Sequence, residues 1–369
     1  MLRLSHVLEV SALLALGGAQ VWLLRRLTRM DWAGKVVLGL SLAPVLAAVL
    51  SMPVWGLAPH TAVGQYLRAG ALLWSLLVPL AYGIWWWVGK QVPEHQSARR
   101  MALKSLAAVP VAASGFGIVT GRRDFHVEEV RLVFPGLPAA LDGLKIVQVS
   151  DIHYGPFLGK AELKRVVGMA NELNGDVVTV TGDLITRTTE YLPECLQLMR
   201  ELRSPGTVYA CMGNHEGYAK CEDEVERETA KMGWKFLRSA KEEIRLPGAV
   251  LSIGGEDYQW AKKDYLKGGA AFYTPGAFNV LLAHNPDVFD RAAALGFDLQ
   301  LSGHTHGGQV DVELLDQHLN LVRAITPYTK GRYAIGKSQC YVNAGIGTIG
   351  VPLRIGASPE VALIRLCAS

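Results

Sequence analysis

The uneven placement of charge constrains the architecture of this chain more than any single motif. Nearly all of its charge-free apolar runs lie before about Gly121, and the rest has the mixed apolar and charged composition of a soluble domain. That division predicts an α-helical membrane region over residues 1–121 joined to a globular domain over 122–369. With 50% of its residues apolar, the chain can bury a sizeable core.

Four apolar segments run from about Val7 to Leu24, Val36 to Ala58, Ala69 to Val88 and Leu106 to Val119. The second and third reach the roughly 20 residues that a helix needs to cross a bilayer, and the third ends in Trp85-Trp86-Trp87, suited to the headgroup region. Glu9 interrupts the first, and the fourth is short and holds Pro110, Ser114 and Gly115. A buried soluble helix is the alternative for either.

Arg25, Arg26, Arg29 and Lys35 follow the first segment, and Lys90, Arg99, Arg100 and Lys104 precede the fourth. The loop between the second and third has only Arg68. The excess of basic residues puts both basic loops in the cytoplasm. With four spans, the protein is then a multi-pass protein of the cell membrane with its C-terminal domain extracytoplasmic. Ala98-Arg99-Arg100-Met101-Ala102-Leu103-Lys104 before a weakly apolar run also resembles a bacterial twin-arginine export signal, a plain basic stop before a helix being the alternative. Arg122 and Arg123 stand against the outward assignment.

The net charge of +4 is modest, and the basic residues lie beside the apolar runs without forming an aromatic-interleaved face, which argues against a nucleic-acid partner. The five cysteines are scattered and odd in number. Cys211 and Cys221 could pair, but reduced thiols are the simpler reading.

After Gly121, strand and helix patterns alternate. Phe125–Val133 and Leu144–Val149 read as strands, Leu163, Val166, Val167, Ala170 and Leu173 fall at helical spacing, and Asp176–Val180 is a strand again. Helices follow around Leu192–Leu202, Glu222–Met232 and Asp287–Leu295. Strands follow near Thr207–Met212, Val250–Ile253, Asn279–Ala283, Leu299–Leu301, Gln339–Asn343 and Glu360–Leu366. The alternation predicts an α/β domain, and the helix-poor ending predicts a sheet stacked on a sheet with helices outside.

The predicted strand ends deliver polar residues of one kind: Asp151 and His153, then Asp183, then Asn214 and His215, then His284, and last His304 and His306. Carboxyl ends of strands in α/β sheets converge on one crevice, so these residues would meet. Asp, Asn and His without a thiolate suit borderline or hard divalent ions.

The order Asp-x-His, Gly-Asp, Gly-Asn-His-Glu, a lone His and Gly-His-x-His resembles the calcineurin-like metallophosphoesterase superfamily. Gly307-Gly308-Gln309 and Asn343-Ala344-Gly345-Ile346-Gly347 resemble its membrane-associated bacterial branch. The resemblance extends from Leu144 to Leu366 and implies a β-sandwich flanked by helices. It also implies two divalent metal ions, manganese, iron or zinc. Asp151, His153, Asp183 and His306 would hold one ion, and Asp183, Asn214, His284 and His304 the other. His215 would stay off the metals as general acid for the leaving oxygen, or donate to a phosphoryl oxygen.

The activity so implied is phosphoester hydrolysis, by a phosphodiesterase or phosphatase. A membrane tether favours a lipid-linked phosphate as substrate. The alternatives are a pyrophosphatase of the UDP-diacylglucosamine type in lipid A synthesis, which needs a cytoplasmic site, and a non-catalytic membrane binding or assembly module. Arg354 is read as a donor to substrate phosphate or half of a salt bridge, and Glu216 and Tyr154 as ordinary loop residues, shaping of the site entrance being the alternative.

Overall fold

The structure, a computed structural model, describes residues 17–18, 21–22, 46, 62–93, 95–259, 265–314 and 317–369. The first two apolar segments and the basic loop after Leu24 lie outside the described residues almost entirely. The described residues divide into two compact units, one ending at Val119 and including Gly350–Pro352, the other Thr120–Ile349 with Leu353–Ser369.

In the first unit, Ala62–Gln91 forms α1, 30 residues long. Ser97–Lys104 forms α2 and Val109–Val119 forms α3. Joined by a 3₁₀ turn, these two make Ser97–Arg123, with α1, one of two helices long and apolar enough to cross a membrane. At the end of α1 the Lys104 ammonium lies 3.9 Å from the centre of the Trp85 ring, and that of Lys90 lies 4.1 Å from Trp86. Each ring so placed holds a cation against the end of an apolar helix.

The second unit is built on two six-stranded sheets. Along the chain its elements are β1 (His126–Phe134), β2 (Lys145–Val149), α4 (Lys160–Glu172), β3 (Val177–Thr181), α5 (Leu192–Met199), β4 (Val208–Cys211), α6 (Asn214–Ala219), α7 (Glu222–Lys231), β5 (Lys235–Leu237), β6 (Ala240–Leu246) and β7 (Ala249–Gly255). The remainder comprises β8 (Phe278–Leu282), α8 (Phe289–Leu295), β9 (Leu299–Ser302), β10 (Val312–Leu314), β11 (Gln317–Leu319), β12 (Gly331–Ile335), β13 (Ser338–Val342) and β14 (Glu360–Ala368).

One sheet has the order β1-β14-β2-β3-β4-β5, the other β12-β13-β9-β8-β7-β6, and β10 and β11 form a separate hairpin. Strands β2 to β5 are mutually parallel, as are β7, β8 and β9, so their carboxyl ends share a direction within each sheet. Alternation sorts their side chains. Val147, Val149, Val178 and Val180 pack outward with Leu163 and Val167 of α4 and Cys195 and Met199 of α5. Ile146 and Val177 face inward and join Ile253, Val280, Leu299 and Leu301 of the other sheet in the sandwich core. The far face of the second sheet packs Leu281 on Val288 and Ala292.

The stacking expected from the ending is therefore present, as helix, sheet, sheet, helix. Near the carboxyl ends, buried Gln148 pins sheet to sheet, its amide donating to Thr181 Oγ1 and to the Ser302 carbonyl, both at 2.9 Å. All five cysteines are free and buried, so Cys211 and Cys221 do not pair.

Candidate metal centre

Five loops leave the carboxyl ends of β2, β3, β4, β8 and β9, and each carries part of the site. Asp151, His153, Asp183, Asn214, His215, His284 and His306 are buried, and His304 is partly so. Five of these eight adopt the left-handed backbone conformation: Asp151 (φ 51°), His153 (47°), Asp183 (57°), His304 (73°) and His306 (53°). Such a conformation costs on the order of 1–3 kcal/mol for a residue with a Cβ and persists only where the surroundings over-determine it. Here they do: the Asp151 N–H donates to the Gly182 carbonyl at 3.2 Å, and His153 N–H to the Asp183 carbonyl at 3.0 Å. Gly303 permits the close approach of two loops, since a Cβ there would lie 2.1 Å from Asp151 Oδ2.

The side chains converge in two clusters that share Asp183. In the first, His153 Nε2 is 3.1 Å from His306 Nε2 and 3.4 Å from Asp183 Oδ2, and His306 Nε2 is 3.3 Å from Asp151 Oδ1. In the second, His284 Nε2 is 3.1 Å from Asp183 Oδ2, 3.1 Å from Asn214 Oδ1 and 3.2 Å from His304 Nδ1. Asp183 Oδ1 points away from both and accepts from the His215 N–H at 2.8 Å. His215 stands edge-on to His153 with ring centres 4.6 Å apart, and its Nδ1 meets the Thr186 carbonyl.

Burial pushes the His153 and His304 imidazoles down to about 3 and that of His306 well below its ordinary value. Opposing burial, Asp183 and Asp151 raise His284 to about 10. Burial lifts Asp151 to about 6, whereas His284 and His215 overcome burial at Asp183 and hold its carboxyl well below the usual range.

Two imidazole nitrogens about 3 Å apart, twice over, compete for protons that burial disfavours. The same atoms suit a cation. Donors 3.1–3.4 Å apart match neighbouring ligand atoms around an ion with bonds of about 2.0–2.2 Å. Neutral imidazoles and ionised carboxylates are the protonation states that coordination requires. The donor set therefore fits two divalent ions. The groups Asp151, His153, His306 and Asp183, His284, His304 each place their ligand atoms within 4.8 Å of one another, and so does His153, Asp183, His215, which brings the residue expected off the metals within reach of one.

Several residues support the ligand side chains from behind. Glu216 is 1% exposed, and its carboxylate accepts from the N–H groups of Gly213 (2.9 Å), Asp183 (3.1 Å) and Leu184 (2.7 Å). It therefore locks the Asp183 loop to the start of α6, which corrects the loop role expected for it. The signal was present as an acidic residue three positions after a helix-starting Gly213. Ser150 donates to Asp151 Oδ2 at 2.6 Å, and His284 Nδ1 is paired with the Thr181 carbonyl at 2.7 Å, aiming Nε2 inward.

Arg354 takes neither of its expected roles. It is buried, and its guanidinium donates to the carbonyls of Ala344 (2.8 Å), Ala357 (2.8 Å) and Gly345 (3.1 Å), with no carboxylate partner among the described residues. Tyr258 escaped notice; its ring centre lies 6.1 Å from that of His284 and 6.0 Å from that of His304.

The chain is similar to known phosphoesterases. Residues 144–308 match the family model described as calcineurin-like phosphoesterase. The uncharacterized metallophosphoesterase YkuE of Bacillus subtilis is 30% identical over 287 residues, covering 73% of this chain and 97% of that protein. A transmembrane protein with metallophosphoesterase domain from Danio rerio is 28% identical over 403 residues, 99% of this chain and 89% of its own. The phosphodiesterase YaeI of Escherichia coli is 27% identical, covering 73% of this chain and 99% of its own.

Proposed function

Because the chain belongs to the calcineurin-like metallophosphoesterase family and is a hydrolase of phosphoesters, we propose that it is a membrane-tethered enzyme acting on a phosphate carried by a lipid or a lipid-linked nucleotide. The observation that carries the reading is the pair of buried His/Asp clusters sharing Asp183 Oδ2. Asp151, His153, Asp183 and His306 would hold one divalent ion, and Asp183, Asn214, His284 and His304 the other. When bound, manganese, iron or zinc supplies Lewis acidity to the phosphoryl group and to the attacking water.

The chain's own residues set the rest. Asp183 is fixed through Oδ1 by the His215 N–H, which leaves Oδ2 between the clusters. Asn214 brings a neutral oxygen, so only Asp151 and Asp183 would offset the charge of two divalent ions, leaving net positive charge for an anionic ester. Pairing of His215 Nδ1 with the Thr186 carbonyl leaves Nε2 to carry the proton for the leaving oxygen. Burial pushes the His215 imidazole below its ordinary value, and the Thr186 carbonyl offsets part of that by stabilising the charged imidazolium that such a donor must be.

The two helices of spanning length and the similarity to a protein named for its transmembrane part support membrane association. On the balance of basic residues, the protein is multi-pass with this domain extracytoplasmic. Arg122 and Arg123, just past α3, favour the opposite side, and with it a cytoplasmic pyrophosphatase acting on a UDP-linked acyl sugar. A reporter fused at Ser369 decides: activity only outside the cytoplasm excludes the pyrophosphatase.

The substrate class is tested with the purified full chain, metal content measured alongside, against phospholipids, lipid-linked nucleotides and simple phosphoesters, with Asp183→Asn as control. Protein that holds two ions and hydrolyses none of them sinks the proposal.

A further inference from the structure

The loop that carries His304 and His306 is tied to a turn with inverted polarity. Asn320 reaches back to it, donating through Nδ2 to the Gly307 carbonyl at 2.9 Å, while its Oδ1 accepts from the Val322 N–H at 3.0 Å. Contact is close enough that a Cβ on Gly308 would lie 2.1 Å from Asn320 Oδ1. At the other end, Thr326 Oγ1 donates to Asp287 Oδ1 at 2.5 Å. Between these polar, buried anchors a 3₁₀ turn over Leu321–Ala324 leaves Leu321 and Ile325 84% and 82% exposed, and Leu319, at the end of β11 just before Asn320, is 67% exposed.

A lone exposed leucine is ordinary; three on and beside one anchored turn form a patch. Flanking charge favours one kind of cover. Arg323 stands exposed on the turn itself, whereas Lys330 pairs with Asp311 at 2.8 Å, Arg354 is buried, and Thr326 and Tyr328 donate to Asp287 and Asp290. Arg332 and Lys337 are exposed as well. A second copy of the chain would cover the apolar side chains without calling for an exposed arginine among them, whereas the anionic surface of a bilayer, to which two helices of spanning length would tether the chain, calls for both.

We propose that the turn Leu319–Ile325 inserts into the headgroup and acyl boundary of an anionic phospholipid bilayer, with Arg323 at the lipid phosphates. Through Asn320, the inserted turn holds the His304–His306 loop close to the lipid surface. Only its consequence for substrate choice rests on the lipid-phosphoesterase reading above; the insertion itself does not.

The test uses the full chain reconstituted in nanodiscs of phosphatidylglycerol and phosphatidylcholine containing nitroxide-labelled lipid. All five native cysteines are buried, so a fluorophore can be directed to Leu321→Cys, Ile325→Cys or, as a control on exposed α7, Ala230→Cys. Quenching severalfold stronger at 321 and 325 than at 230 is expected. Quenching no stronger than at 230 overturns the proposal, whether the label then reports water or a protein cover. Equal quenching in phosphatidylcholine alone overturns the part assigned to Arg323.

In the double variant Leu321→Glu/Ile325→Glu, hydrolysis of a vesicle-borne ester relative to a soluble one should fall by about tenfold or more. An unchanged ratio breaks the link to substrate. Quenching requires no turnover, so quenched labels on an inactive protein would refute the phosphoesterase reading alone.

Discussion

Glu216 gives the sharpest test of how the centre is held. One carboxylate, 1% exposed, accepts from Gly213, Asp183 and Leu184, and so ties the bridging aspartate to the turn that presents Asn214 and His215. Alanine would leave three buried N–H groups unpaired at roughly 1–3 kcal/mol each, comparable to the whole stability of many domains, so that variant is expected not to fold. Glutamine is the informative change. Its one acceptor can keep the Gly213 and Asp183 bonds, but its NH₂ then faces the Leu184 N–H, at a cost of about 1–3 kcal/mol. Weakening of the two retained charge-assisted bonds adds to this, and relief of repulsion between Glu216 and Asp183 offsets part of it.

The net expectation for Glu216→Gln is a destabilisation of about 1–3 kcal/mol. Because Asp183 serves both clusters, it should come with partial loss of both ions together. Urea titration of the full chain in detergent, followed by hydrogen exchange at the Leu184 amide, reads the first quantity; elemental analysis reads the second. A variant with the wild-type midpoint and two tightly held ions would refute the claim that this carboxylate positions Asp183.

The two-cluster assignment predicts that His306→Ala loses the ion held with Asp151 and His153 first, while His304→Ala loses the one held with Asn214 and His284; equal loss of both ions from each variant counts against the split. His215→Asn should retain both metals while kcat falls by about 10²–10⁴, least for esters whose leaving group needs no proton. An equal fall for all leaving groups would argue that His215 contacts the phosphoryl group instead. Glu256, buried beside the Leu266 amide, is raised to about 7 by burial. Its folded value exceeds the unfolded one, so its contribution is fully present below about 4.5 and is lost as pH rises through about 7. Urea midpoints should decline across that window, and less steeply in Glu256→Gln, where burial of Glu216 and Asp151, raised to about 7 and about 6, leaves a remaining slope; an undiminished decline in the variant assigns it to those other groups alone.

What was legible in the sequence and what was not divide along one physical line. Buried parallel strands such as Val177–Thr181 announce themselves by composition, and the loops they feed carry side chains that have few uses besides coordination. The short edge elements do not. Lys235–Leu237 is three residues long, and Gly331–Ile335 is largely exposed, so neither shows the alternation by which strands are recognised. Arg354 misled for a related reason. A cation invites a search for an anion, but this one is held by carbonyl oxygens that turn inward where the Asn343–Gly347 segment abandons the sheet, a partner that has no sequence signature.

Glu216 and Asn320 fall between these cases. Each has a readable local role, one as the acid three residues into a helix and the other as the cap of a 3₁₀ turn whose Oδ1 accepts from Val322. In both, the remaining hydrogen-bonding capacity reaches a metal-binding loop far away in sequence, to Asp183 in one case and Gly307 in the other. Periodicity and motif spacing reveal which residues meet the ligand. They do not reveal which residues hold those in place, because that depends on loops whose course is set only when the two sheets stack.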